Sequence, residues 1–137
     1  MRCIYAPLIF LSLTCNALHA DVVVIVSKKN AINTLNADQV RELFLGETKT
    51  INGNLLLPLD QTVGENSRNY FYTEIIKKSE AELKAYRSRL IFTGKGQAPL
   101  VIGSDADMQH MISNNPNLIG YIDTSKLTSS VKVVYRP

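Results

Sequence analysis

Val22-Val23-Val24-Ile25-Val26 is an unbroken β-branched run. Branching at Cβ restricts χ1 and suits a pleated strand. A strand that is apolar at every position has no face to offer water, so it must be covered on both sides, as in a parallel sheet layered with helices. Whatever this chain folds into therefore needs a layer above and a layer below that strand.

The rest of the sequence supplies both layers. Asn36 stands as an N-cap with Gln39 as its capping-box partner, and Val40, Leu43 and Phe44 share one helical face before Gly46 stops the helix. Asn52-Gly53 marks a tight hairpin turn, and residues 55–59 read as the next strand, with Pro58 confining it to an edge or to its end. A helix opens around 64–67 and carries Phe71, Ile75 and Ile76 inward. Ser79 and Glu82 form the capping box of another, with an apolar stripe of Leu83, Tyr86, Leu90 and Ile91. Residues 94–99 read as a flexible loop and 100–102 as a short strand. Ser104 caps a helix bearing Met108, Met111 and Ile112, which Asn115-Pro116 ends. Strands over 118–122 and 131–135 close the chain. The order β-α-β(β)-α-α-β-α-β-β predicts one three-layer α/β domain, without repeats or a linker long enough to divide it.

The first twenty residues belong to a different pattern. Arg2 is followed by a mostly apolar stretch over 4–14 and then by Asn16-Ala17-Leu18-His19-Ala20. A positive start, a short apolar run and a small-residue end make a secretory signal peptide. The apolar run is well short of the roughly 20 residues that span a bilayer. A membrane-tethering helix and lipidation at Cys15 are weaker alternatives, the latter because Ser12-Leu13-Thr14 lacks the small residue expected before a lipidated cysteine. Cleavage after Ala20 leaves a domain over 21–137, expected to be periplasmic, soluble and not inserted in the membrane. Both cysteines, Cys3 and Cys15, go with the signal, so core packing alone has to hold the mature domain.

Composition narrows the function. The formal charge is +3, falling to +2 with the loss of Arg2, and the basic residues are scattered. That is no footprint for nucleic acid. The mature chain has one histidine, His110, in mid-helix, and no Gly-x-Ser-x-Gly elbow to supply a nucleophile. One histidine without cysteine argues against a transition-metal site. The acid pairs Glu80/Glu82 and Asp105/Asp107 fall at helix starts, where they suit the helix dipole. An enzyme is not expected, nor is a cofactor.

Two stretches are candidates for binding. In Pro58-Leu59-Asp60-Gln61-Thr62-Val63-Gly64-Glu65-Asn66-Ser67-Arg68 a strand ends, a polar loop follows and a helix begins. In open α/β domains ligands settle at the carboxyl ends of strands, and a helix start offers unpaired N–H groups to an oxyanion. Asn66, Ser67 and Arg68 would add an amide, a hydroxyl and a charge, and Gln61, Thr62 and Gly64 the loop, whereas Asp60 and Glu65 would repel a fully ionised anion. A capped helix with a solvated arginine is the plain alternative. Gly94-Lys95-Gly96 lacks the frame of a nucleotide loop and is either a plain turn or a contact made by Lys95.

The spacing of these segments resembles that of a known family. Asn36-Ala37-Asp38-Gln39-Val40-Arg41-Glu42-Leu43-Phe44-Leu45-Gly46, the polar loop over 55–68, Arg89-Leu90-Ile91-Phe92-Thr93-Gly94-Lys95-Gly96 and Asn114-Asn115-Pro116-Asn117-Leu118-Ile119-Gly120-Tyr121-Ile122 are similar to segments of phosphate ABC transporter substrate-binding proteins, above all the short members. The resemblance covers nearly all of 22–135. It implies one lobe of a type II periplasmic-binding-protein fold, a mixed sheet flanked by helices, taken from a clamshell that closes on a tetrahedral oxyanion. It implies phosphate or a similar oxyanion as ligand in a transport or sensing system, for which the candidate contacts read above are Asp60, Gln61, Thr62, Gly64, Asn66, Ser67, Arg68 and Lys95. An ABC permease, a sensor protein or a second copy of the chain would be the partner. The chain departs from the family at its anion loop: Asp60 stands near the usual arginine, and Gly64-Glu65-Asn66-Ser67 near the usual Ser-Gly-Thr. A protein-interaction module that kept the lobe and lost the ligand is the alternative.

Overall fold

The computed structural model describes residues 21–137, and the signal peptide read over 1–20 lies outside them. The described elements are β1 (Val22–Ser27), α1 (Ala37–Phe44), β2 (Thr50–Ile51), β3 (Asn54–Leu55), β4 (Leu57–Asp60), α2 (Asn66–Tyr70), α3 (Glu80–Phe92), β5 (Leu100–Val101), α4 (Asp105–Asn114), β6 (Leu118–Asp123) and β7 (Val131–Tyr135). α2 continues directly into a π-helical segment, Phe71–Ile76, and a 3-10 turn, Thr124–Lys126, links β6 to β7. The order is the one read from the sequence, except that the strand expected over 55–59 is split at Leu56, whose N–H turns aside to the Lys49 carbonyl at 2.8 Å.

The main sheet has the order β5-β4-β6-β1-β7. β4 runs parallel to β5 and to β6, whereas β1 runs antiparallel to both β6 and β7. The sheet is mixed, and β1 lies inside it, buried along its whole length. The parallel pairing suggested by the valine run is therefore corrected. The run records burial on two faces, which a central antiparallel strand between two helical layers demands equally. Val22, Val24 and Val26 join the core under α1 and the π segment, while Val23 and Ile25 join Met108 and Ile112 of α4 on the other face.

Local signals hold up where a single turn of chain decides the structure. Asn36 Oδ1 accepts from Gln39 N at 2.8 Å and Gln39 Oε1 accepts from Asn36 N at 3.0 Å, closing the capping box of α1. Asn52 and Gly53, with φ of 50° and 79°, turn β2 into β3 as a primed hairpin requires. Pro58 sits within an interior strand without loss. Leu57 donates to the Asn117 carbonyl beside β6, so Pro58 faces the β5 side, where pairing begins only at Leu59 opposite Leu100.

Two expectations of the helical layer change. Of the α3 stripe only Leu83 is buried; Tyr86 and Leu90 are half-buried, and Ile91 is exposed. Arg87 intrudes on that face and turns it into a polar contact. Met111 likewise points outward, while Met108 and Ile112 fill the core. The loop over 94–99 is packed rather than loose. Lys95 N–H donates to the Leu90 carbonyl at 2.9 Å, and a Cβ on Gly96 would stand 2.6 Å from the Gly46 carbonyl oxygen. Glycine at both positions lets this loop lie directly against the end of α1.

Candidate functional site

β4 delivers Asp60 to the carboxyl end of the sheet, and α2 returns over it. Asp60 is buried, yet its carboxylate is amply supplied with donors. Oδ2 accepts from Arg68 Nη1 at 2.5 Å, from the Tyr72 hydroxyl at 2.7 Å and from Arg87 Nη1 at 3.5 Å. Oδ1 accepts from the Gln61 backbone N–H at 2.9 Å and from the Tyr121 hydroxyl. A buried carboxylate stays charged only with such compensation.

Arg68 is equally committed. Its Nε and Nη2 form a fork onto the two oxygens of Glu80, at 3.0 and 3.2 Å, and Nη1 also reaches the Gln61 carbonyl at 3.2 Å. Burial opposes its charge, but hydrogen bonds and attraction from Glu80 and Asp60 outweigh that and hold its pKa above the ordinary value. Its guanidinium carbon lies 4.8 Å from the centre of the Tyr72 ring, with that of Arg87 at 5.2 Å from the same ring. Burial, and next the Asp60 charge, push the Tyr72 and Tyr121 phenols well above their usual range, so both stay protonated donors. The Tyr121 ring stacks on Phe71 at 4.0 Å, and Phe71 meets Phe44 edge-on at 4.7 Å, so an aromatic wall fixes where these hydroxyls point.

A second buried carboxylate stands beside the first. Asp105 Oδ1 accepts from Gln61 Nε2 at 2.7 Å, and its Oδ2 accepts from the Ser67 hydroxyl at 3.0 Å and lies 3.2 Å from Lys126 Nζ. Gln61 is the link between the two carboxylates, since its backbone N–H serves Asp60 and its side chain serves Asp105. Its Oε1 is buried with no partner among the described residues.

Of the residues picked out from the sequence, Asp60, Gln61, Ser67 and Arg68 are thus brought together and face inward, onto one another and onto Asp105. Thr62, Gly64 and Asn66 stay exposed in the loop above them. That loop is tied down by Thr62 N–H to the Gly103 carbonyl at 3.0 Å and Glu65 N–H to the Thr62 carbonyl at 3.1 Å. Lys95 does not join them. It precedes β5 while Asp60 ends the parallel strand β4, which puts it toward the opposite end of that pair.

The sequence reading missed Tyr72, Arg87, Tyr121, Glu80 and Asp105 as members of the cluster. For the acids a signal existed. Glu82 and Asp107 close the capping boxes of α3 and α4, which leaves Glu80 and Asp105, at the first helical position of each, able to reach elsewhere. Chemically the cluster is a network of paired donors and acceptors that leaves two buried atoms, Gln61 Oε1 and Arg87 Nε, without a partner among the described residues. The Ser67 hydroxyl donates to the Asp105 carboxylate, and His110 is exposed on α4, away from both. Among the described residues no three His, Asp or Glu side chains gather as a metal site would need, and no helix is long and apolar enough to cross a membrane.

This arrangement of sheet and helices occurs in solved binding proteins. A putative phosphate ABC transporter substrate-binding protein with bound phosphate from Clostridium perfringens matches at 22% identity with a TM-score of 0.65, over 83% of this chain and 44% of the other. An ABC-type phosphate transport receptor from Vibrio cholerae matches at 16% identity and a TM-score of 0.67, over 83% and 45%. PstS from Borrelia burgdorferi matches at 15% and 0.61, over 83% and 46%. The fold is that of a periplasmic-binding-protein-like lobe. The expected fold class and resemblance stand, and the chain spans less than half the length of these structures. No family model matches the sequence, and neither does any curated relative.

Proposed function

We propose that this chain is an exported, non-enzymatic lobe of the solute-binding fold that works by docking to another protein and does not capture free phosphate by itself. One observation carries the reading: Arg68, the charge best placed to hold an oxyanion at the carboxyl end of β4, is spent on Asp60 and Glu80. An incoming anion would have to displace two carboxylates and then face the buried charge of Asp60, at a cost that its own hydrogen bonds do not offset. The mature domain would be residues 21–137, working in the periplasm with a permease, a sensor protein or a second copy as the candidates for partner.

A second reading is favoured by the fold itself, which is shared with phosphate-binding proteins, one of them holding phosphate. In it the exposed loop with Thr62, Gly64 and Asn66 would take phosphate or a related oxyanion, and another surface would have to close over it. Titration of the mature protein with phosphate and with sulfate, by calorimetry and thermal unfolding, separates the two. A ligand that binds only the folded state stabilises it by about 2.7 kcal/mol at a hundredfold excess over Kd, so even weak capture raises Tm. A flat response in both salts is expected. A saturable, phosphate-selective rise would overturn the first reading and establish the second.

A further inference from the structure

An apolar groove on the described surface is left unfilled by the core. It has a volume of about 220 Å³ and runs between the end of α1, the start of β4 and the loop that enters β5, lined by Leu43, Leu57, Pro58, Pro99 and Leu100 with Lys49 among them. Leu57 and Leu59 lie two apart on β4, and Leu100 pairs with Leu59, so these three share a sheet face. Leu59 packs with Met108 and Ile112 of α4 and is buried, whereas Leu57 at 40% and Leu100 at 64% exposure lie beyond that cover. The contact between Gly46 and Gly96 fixes one wall of the groove, so it is preformed.

We infer that this groove is a docking site for a partner protein segment that brings apolar side chains together with a carboxylate. The inference rests on the docking reading above and names the surface for it. Strand addition is not the mode. β5 has two residues, and Pro99 removes an N–H from its free edge, so recognition falls to side chains entering the groove. The charge follows from the rim. Lys49 lines the groove and no acid does, while Glu47, two residues away, accepts the Tyr86 hydroxyl. Lys49 has no ion-pair partner among the described residues. A second copy of the chain seated groove to groove would set lysine against lysine, which favours a different, acidic partner.

The test is selection of a random peptide library displayed on phage against the immobilised mature protein, followed by affinity measurement on synthetic copies of the enriched peptides. Leu100 is exposed enough that Leu100→Lys leaves the fold intact, checked by an unchanged Tm. Enriched peptides should combine apolar residues with Asp or Glu, and lose about tenfold or more in affinity against Leu100→Lys and against Lys49→Glu. No enrichment, peptides without acidic residues, or binding indifferent to both substitutions would overturn the proposal. So would self-association in sedimentation that Leu100→Lys abolishes, since the occupant would then be a second copy. The phosphate titration is scored separately: a failed selection with a flat titration removes this surface and leaves the docking reading in place.

Discussion

Arg68 Nη1 lies 2.5 Å from Asp60 Oδ2, with the two residues 4% and 1% exposed. Arg68, which would have to replace the charge missing at Asp60 if the loop held an anion, is turned into the protein and joins β4 to α2 and, through Glu80, to α3. Its contribution is to the integrity of the lobe.

Removing the guanidinium therefore acts on stability first. Arg68→Ala leaves Asp60 buried with its strongest partner gone, a change that costs about 3–5 kcal/mol when one member of a buried pair is deleted. Urea denaturation should show that loss, while Lys95→Ala, at an exposed position, should stay within about 0.5 kcal/mol of the parent. Equal effects from the two substitutions would mean that Arg68 is a solvated surface charge.

The tyrosines around Asp60 set an alkaline limit. Burial and the neighbouring carboxylate raise the folded pKa of Tyr72 and Tyr121 far above the ordinary 10.0. A group whose folded pKa is raised contributes its stability in full below the unfolded value and loses it as pH climbs beyond. Stability should thus be insensitive to these phenols up to about pH 10 and fall steadily above it. Tyr86, held by Glu47 with help from burial, is pushed up only to about 12. Unfolding followed against pH should lose part of that alkaline slope in Tyr121→Phe, and absorbance should show the Tyr72 and Tyr121 phenolates appearing only with unfolding. Ionisation of either in the folded protein would contradict the closed cluster.

What was legible in the sequence follows the distance over which each interaction acts. The capping boxes at Asn36 and Ser79 and the Asn52-Gly53 turn close within three residues, so type and spacing alone reveal them. Three of the five donors to Asp60 lie 12, 27 and 61 residues away, at Tyr72, Arg87 and Tyr121, and leave no periodic trace. Asp60 could be read as the residue that departs from an anion loop, but not as the centre of a buried network. The strand direction of β1 escaped for a related reason, since burial is written in its valines and partner direction is not. The α3 stripe misled because periodicity counts Leu90 and Ile91 as core without registering that Arg87, bonded to the Phe44 carbonyl and the Tyr72 hydroxyl, makes the inner side of the helix polar.

Asp105 offers a check on the second half of the cluster. Asp105→Ala strips partners from Gln61, Ser67 and Lys126 at once. Leaving buried donors unsatisfied costs about 1–3 kcal/mol, and here the loss falls on the segment that carries Gln61 and Ser67. Hydrogen exchange should accelerate over residues 61–68 more than over α1. A uniform change along the chain would argue that Asp105 stabilises only its own helix.

The last prediction concerns the wall of the groove. A Cβ on Gly96 would lie 2.5 Å from Leu90 Cδ2 and 2.6 Å from the Gly46 carbonyl oxygen. A leucine methyl can swing aside, but the backbone of Gly46 cannot do so without moving the end of α1. Gly96→Ala should therefore cost about 1–3 kcal/mol, the usual range for overpacking a filled site, and widen the groove at its Gln97 side. Gly94→Ala, where nothing stands within 4 Å, is the control. It carries only the strain of its positive φ and should leave peptide binding at Leu100 untouched. If Gly96→Ala matched Gly94→Ala in both stability and peptide affinity, the loop would be yielding, and the groove would form only when a partner arrives.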